Sequence, residues 1–305
     1  MAAFTRLPIL VAVFALALPA QDITLSGLVN HQVIQRNDSM RADLRLAGSA
    51  TPRANGKYIE ARVLQDGAAV TGLDWTPLVR AAAGRWSGEL RNVPAGGPYR
   101  IEVRVSGVPG VAAAEDILVG DLWILAGQSN MEGYGNLTDV QQPLKQVHSF
   151  DMVDRWLVAT DPLHSTRWAA DTAYWSKNAQ GQPERLAGDK IEQFMKDRKQ
   201  GAGLGLPFAV QMLTRTGVPI GLIPCAKGGS SMEQWDPALK AKGGESLYGA
   251  MVRRVEAAGG RVRGVLWYQG EADTIGDQAA QYGSRMERLV AALRADLKDP
   301  KLPFY

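Results

Sequence analysis

Three short stretches concentrate residue types that can do chemistry. The first, ILAGQSNMEGYG (residues 124–135), breaks off an apolar run at Gly127-Gln128-Ser129-Asn130. A serine placed there is either an ordinary cap on the first turn of a helix or a nucleophile at the carboxyl edge of a sheet, where open α/β folds hold their chemistry. The second stretch, KGGSSMEQW (227–235), contains the pair Gly228-Gly229. Glycines let a backbone N–H approach a ligand with no side chain in the way. The third, WYQGEADT (267–274), offers the side-chain amide of Gln269, a donor that carries no charge. Acyl transfer needs such a set: a nucleophile, a base, and donors aimed at the developing oxyanion. Each donor of this kind is worth about 10²- to 10³-fold in rate. Taken singly the signals are weak, because glycine pairs are common turns and a strand-end glutamine is usually structural. Their joint placement at the ends of successive strands carries the argument.

The elements that must position these residues follow from periodicity. From 116 onward, DILVGDLWILAG, VPIGLIPCA and VRGVLWYQG are near-continuous apolar runs of strand length. They alternate with helical segments. LPFAVQMLTRTG has Pro207 near its start and Gly217 at its end. SLYGAMVRRVEAAGG and QAAQYGSRMERLVAALRADLKD place apolar residues at helical spacing. LPFY (302–305) reads as the first residues of a fourth strand. This alternation predicts a parallel sheet with helices on both faces, and parallel strands point their carboxyl ends the same way. Ser129, the glycine pair and Gln269 therefore converge on one edge.

The segment from about 22 to 115 behaves differently. MRADLRLAG, KYIEARVLQDG, GRWSGEL and PYRIEVRVSG alternate apolar with polar and are separated by turn residues, which predicts an antiparallel β-sandwich-like domain. Its His31 has no neighbours that complete a metal set and reads as structural. Residues 136–201 carry little periodicity and read as a long polar excursion. Trp156, Trp168 and Trp175 within it either stack on a sugar or pin the excursion to the body.

Composition narrows the function classes. The 305 residues include 34 Lys+Arg against 31 Asp+Glu, with the basic residues scattered. That balance gives no groove for nucleic acid and no anionic-membrane surface, so a neutral or small substrate is the default. At the N-terminus Arg6 precedes the apolar run ILVAVFALAL (9–18), too short to span a bilayer, and LPAQ follows. This predicts a signal peptide over 1–20 with cleavage after Ala20. The mature protein is then exported without a membrane anchor. Cys225 is the only cysteine, so no internal disulfide is available, and it reads as a small buried hydrophobe. Export without disulfides fits a bacterial periplasmic or secreted enzyme.

GQSNME, GGSSMEQW and WYQGEAD, in that order, resemble the signature blocks of the SGNH (GDSL-like) hydrolases, and within them the sialate O-acetylesterase and carbohydrate acetylesterase branch. LVNHQVIQRN, GRWSGELRNVPAGGPYRIEV and ILVGDLWILAGQSNM are similar to the β-domain and junction of the same branch, so the likeness covers nearly the whole mature chain. It implies a flavodoxin-like parallel sheet over 116–305, preceded by the β-sandwich-like domain over 21–115. It further implies a serine esterase that removes O-acetyl groups from a sugar or polysaccharide, with no metal or organic cofactor. Ser129 would be the nucleophile and would donate its own N–H to the oxyanion. A glycine of the Gly228-Gly229 pair and Gln269 would complete the hole. Gln128 and Asn130 would support the nucleophile, and Glu271 and Asp273 would orient the Gln269 loop. Trp235 and His164 are candidate substrate contacts.

One feature departs from the resemblance. The branch carries its catalytic Asp and His in an Asp-x-x-His segment after a later strand, whereas this sequence reaches Tyr305 first. Asp161-Pro162-Leu163-His164 has the spacing but precedes the second apolar strand, and His148 lies in a polar stretch. The expectation is a hydrolase domain incomplete at its C-terminus. Two other readings stand beside a sialate O-acetylesterase. One is an esterase of acetylated xylan or another acylated polysaccharide, and the other is a carbohydrate-binding protein that has lost catalysis.

Overall fold

A computed structural model describes residues 22–305. The signal peptide expected over 1–20 lies outside the described residues. The fold is mixed α/β, organised around one long strand, β7 (Ala112–Gly127). Before it come β1 (Val33–Gln35), β2 (Arg41–Ala50), β3 (Tyr58–Gln65), β4 (Thr76–Arg80), β5 (Gly84–Pro94) and β6 (Gly96–Val105). The first half of β7 pairs antiparallel with β6, and its second half pairs parallel with the strands that follow. The boundary expected between 115 and 116 therefore falls inside a continuous strand.

β2 and β5 pair antiparallel as one layer, and β3, β4, β6 and the start of β7 form a second. The alternation seen in the sequence sends Leu44, Leu46, Trp86 and Leu90 inward from the first layer. They meet Ile59, Val63, Ile101 and Val103 from the second in one apolar cluster. Period-two side-chain alternation makes this closure possible.

After β7 come α1 (Ser129–Glu132), β8 (Val147–Phe150), β9 (Trp156–Val158), α2 (Asp189–Asp197), α3 (Gly205–Thr216), β10 (Ile220–Pro224), α4 (Leu247–Ala257), β11 (Gly264–Tyr268) and α5 (Gln278–Asp296). The sheet runs β9-β8-β10-β7-β11, with a further parallel bridge from Val265 to Phe304. Along β7, Leu122, Ile124 and Ala126 face α4 and α5, while Trp123 and Leu125 face α3. Both faces are covered, as a parallel sheet requires. Numbered along the chain, the parallel strands lie in the order 2-3-1-4-5. This corrects the flavodoxin-like expectation, whose order is 2-1-3-4-5. The crossover through α3 brings β10 between β8 and β7 rather than beyond them.

The supposed excursion of 136–201 contains a strand of the main sheet. β8 reads VHSF, and its two polar residues are buried, His148 at 1% and Ser149 at 2% exposure. The His148 Nδ1–H donates to the His31 carbonyl at 2.7 Å, and that distant partner makes a histidine tolerable inside a strand. Burial holds His148 down to about 4 and His164 down to about 3, and it pushes Asp161 up to about 6.

These shifts give a pH prediction. An unfolded histidine takes up its proton near 6.5, so below that pH the unfolded chain binds two protons that the native state refuses until about pH 4 and below. Asp161 works in the opposite sense, because its native carboxyl keeps a proton up to about 6 that the unfolded chain releases above 3.8. Between about pH 6 and 4 the unfolded state thus holds roughly one extra proton. Unfolding free energy should fall by about 1.4 kcal/mol per pH unit as the pH drops through this window. Denaturant titrations at a series of pH values read that slope directly; a flat profile would show the histidines to be solvated.

Candidate active site

The register of three strands builds one edge. Gly127 pairs with Tyr268, and Leu125 pairs with Pro224, so β7, β11 and β10 end side by side. The Gln128 N–H donates to the Tyr268 carbonyl at 2.8 Å, and the Lys227 N–H donates to the Gly127 carbonyl at 3.0 Å. A Cβ on Gly127 would lie 2.2 Å from the Tyr268 oxygen, which is why the strand needs glycine at its last position.

Ser129 is the first residue of the single-turn helix α1. Its N-cap is Gln128, whose carbonyl accepts from Met131 and Glu132. Ser129 is therefore not a cap. Its side chain is partly exposed, and its hydroxyl makes no hydrogen bond among the described residues. The backbone N–H of Ser129 is also without an intrahelical partner, because it is one of the orphan donors at a helix start. Gln128 and Asn130 tie this turn to the next loop. Gln128 Oε1 accepts from the Ala272 N–H at 3.1 Å, and Asn130 Nδ2 donates to Glu271.

The loop after β10 carries the glycine pair. A Cβ placed on Gly228 would be 3.8 Å from the Ser129 Cβ, so the loop lies against the serine. Across residues 227–232 nearly every N–H has a partner. Lys227 donates to Gly127, Gly228 to Glu132 Oε2 at 2.5 Å, Ser230 to the Lys227 carbonyl, and Met232 to Asp273. Gly229 is the exception: it is exposed, adopts φ 70°, and its N–H has no acceptor among the described residues. The reading that left either glycine as an oxyanion donor is narrowed to Gly229, because a carboxylate already occupies the N–H of Gly228.

Gln269 is 8% exposed, and its Nε2 donates to the Ser230 carbonyl at 3.0 Å and to Asp273 Oδ2 at 2.5 Å. Both partners are acceptors only, so the amide orientation is fixed by chemistry, and both of its hydrogens are spent. This corrects the expectation of a free Gln269 donor; the side chain instead braces the glycine loop against Asp273. Asp273, 2% exposed, receives the Met232 N–H and Gln269 together. Replacing Asp273 by alanine leaves two buried donors unpaired, which should cost about 2 kcal/mol in urea unfolding; a loss below about 0.5 kcal/mol would show that water takes over.

The two candidate substrate contacts are corrected by their burial. Trp235 has no exposed surface, and its indole N–H donates to Ser230 Oγ at 2.9 Å, which makes it a support of the loop. His164 is 1% exposed and its Nε2 has no partner. No hydrogen bond joins His31, His148 or His164 to Ser129 among the described residues. An open cleft of about 590 Å³ adjoins Glu132 instead, with Tyr134, Arg167, Trp168, Phe194 and Arg198 in its walls. Of the three excursion tryptophans, only Trp168 lines it. Trp156 is buried, and the Trp175 indole donates to the Ala169 carbonyl. Glu132 and Tyr134 were missed in the sequence; the signal for Glu132 was its place three residues after the serine, within the same turn. No cluster of three or more His, Cys, Asp or Glu suited to a metal exists among the described residues.

An unpartnered serine hydroxyl beside two unpartnered backbone N–H groups can attack a carbonyl carbon and hold the resulting oxyanion. Comparison with known proteins gives the family. The chain is 33% identical over 189 residues to an Arabidopsis thaliana protein named "Probable carbohydrate esterase At4g34215", a match covering 60% of this chain and 66% of that one. It superposes on the crystal structure of a novel carbohydrate acetylesterase from Xanthomonas citri with a TM-score of 0.53 and 25% identity, covering 92% of this chain and 59% of that one. The chain thus spans less than two thirds of the length of each. Residues 119–305, which hold the serine, the glycine loop and Gln269, match the family described as "Carbohydrate esterase, sialic acid-specific acetylesterase", and the chain belongs to that family.

Proposed function

We propose that this protein is an exported serine esterase that removes O-acetyl groups from carbohydrate. Ser129 Oγ attacks the acetyl carbonyl carbon, and the new C–O bond pushes the carbonyl electrons onto oxygen. The Ser129 and Gly229 N–H groups receive that oxyanion. Collapse of the tetrahedral intermediate expels the sugar hydroxylate, which takes up a proton, and water then hydrolyses the acetyl-serine. The observation that carries this reading is a serine with an unbonded, partly exposed hydroxyl lying against the glycine loop (a Cβ on Gly228 would be 3.8 Å from the Ser129 Cβ), whose next residue, Gly229, has an N–H without an acceptor among the described residues. The Ser129 hydroxyl proton passes to solvent water at this open edge as the C–O bond forms, and solvent returns a proton to the departing sugar oxygen; no hydrogen bond joins His31, His148 or His164 to Ser129 among the described residues. Export rests on the charged and apolar pattern of residues 6–20.

The experiment is acetate release by the full gene product from a panel of O-acetylated sugars. Release from O-acetylated sialate supports the sialate branch, and preferential release from acetylated xylan supports the broader esterase reading. A second reading is a carbohydrate-binding protein without catalysis, in keeping with the lack of any histidine bonded to Ser129 among the described residues. Saturable binding of the same sugars with no acetate released would select it.

A further inference from the structure

The nucleophile's own helix also carries a buried acid that the mechanism above does not use. Glu132 is 8% exposed. Its Oε2 accepts the Gly228 N–H at 2.5 Å, and its Oε1 accepts the Thr166 hydroxyl at 3.2 Å. One carboxylate therefore joins α1, the loop after β10 and the Thr166 turn. From the other side the same loop is held through Ser230, whose carbonyl accepts from Gln269 and whose hydroxyl accepts from Trp235. Lys227 is anchored by its backbone to Gly127 and by its Nζ to the Tyr174 carbonyl at 2.6 Å. Between these fixed points only the Gly229 N–H is left without an acceptor.

We infer that Glu132 is a positioning residue: by engaging the Gly228 N–H it turns the next peptide so that the Gly229 N–H faces the oxyanion formed at Ser129. This rests on the esterase reading above. A carboxylate suits the task because it accepts from two donors at once and needs no donor of its own. Its charge, which would oppose a nearby oxyanion, is countered by Lys227 and Arg198, both within electrostatic reach of it. Gly228 is part of the same device. A Cβ there would lie 3.0 Å from Glu132 Oε2 and 3.1 Å from the Tyr134 hydroxyl, so a side chain would push the acceptor off the N–H.

The test is steady-state deacetylation by the full gene product carrying S129A, E132A, E132Q or G228A, with thermal unfolding of each. E132A should lower kcat by about 10²-fold, the effect of misplacing one oxyanion donor, with KM within about threefold. E132Q should recover kcat to within about fivefold, because its carbonyl still accepts from Gly228 and its amino group can donate to Thr166 Oγ. G228A, which keeps Glu132, should lose about tenfold in kcat; it carries the test if E132A does not fold. Folded E132A and G228A proteins with wild-type kcat, alongside an inert S129A, would overturn the positioning role alone. E132Q as impaired as E132A would also overturn it, because charge rather than placement would then matter. Wild-type turnover unaffected by S129A would remove Ser129 as the nucleophile and this inference with it.

Discussion

Replacing Ser129 by alanine is expected to lower acetate release by the full gene product about 10⁴-fold or more, with the melting temperature unchanged within a degree or two. The size follows from the loss of a covalent path: nucleophile knockouts in serine hydrolases cost roughly 10⁴- to 10⁶-fold, and the oxyanion donors alone sustain the remainder. Unchanged stability follows from the local structure. The Ser129 hydroxyl makes no hydrogen bond, the cap of α1 is the Gln128 carbonyl, and the side chain is partly exposed. Alanine therefore removes no contact that holds the turn. Initial rates on an acetylated sugar and a thermal melt check both halves of the statement. A tenfold loss with a lowered melting temperature would instead describe a structural serine.

The second large effect concerns stability. Arg254 on α4 has no exposed surface, and its guanidinium donates to the Phe150, Asp151 and Pro224 carbonyls at 2.8, 2.9 and 3.2 Å and to Asp154 at 2.9 Å. It thereby ties the carboxyl ends of β8 and β10 to the helix that covers them. Arg254→Met fills a similar volume but withdraws a charged donor from three carbonyls, of which Asp151 keeps the Asp154 N–H, and weakens the support of Asp154, which Arg253 still partly satisfies. Removing one partner from a buried ionic network costs about 3–5 kcal/mol, a large share of the 5–15 kcal/mol typical of a folded domain. Urea unfolding should show that loss with an unchanged m-value; a change below 1 kcal/mol would mean that water enters and solvates the freed groups. Because β10 leads directly into the glycine loop, the variant should lose activity as well.

The parts legible in the sequence are those set by local pattern. α3 ends at Gly217, which has φ 68° as a left-handed cap, and α4 and α5 span the segments whose apolar spacing announced them. The convergence of three strand ends followed from their shared direction. What the sequence did not show depends on partners far away along the chain. β8 was hidden because its four residues include His148, whose burial is made tolerable by the His31 carbonyl 117 positions away. Gln269 looked like a free donor because its two acceptors, Ser230 and Asp273, come into range only in the folded chain. Trp235 read as a candidate substrate contact, but Ser230 and Trp267 enclose it. The two glycines could not be separated by sequence, because what distinguishes them is a contact from Glu132 on another segment.

The central claim is that Ser129 carries the acyl group, and rapid-quench mass spectrometry tests it most directly. The full gene product is mixed with an O-acetylated sugar, stopped in acid within milliseconds, digested, and the peptide containing Ser129 is sequenced by fragmentation. The account predicts an acetyl ester on Ser129 that forms before steady-state acetate appears and is absent in the Ser129→Ala protein. Acetate released without any modification of Ser129, or an acetyl ester found on a different residue, would contradict it.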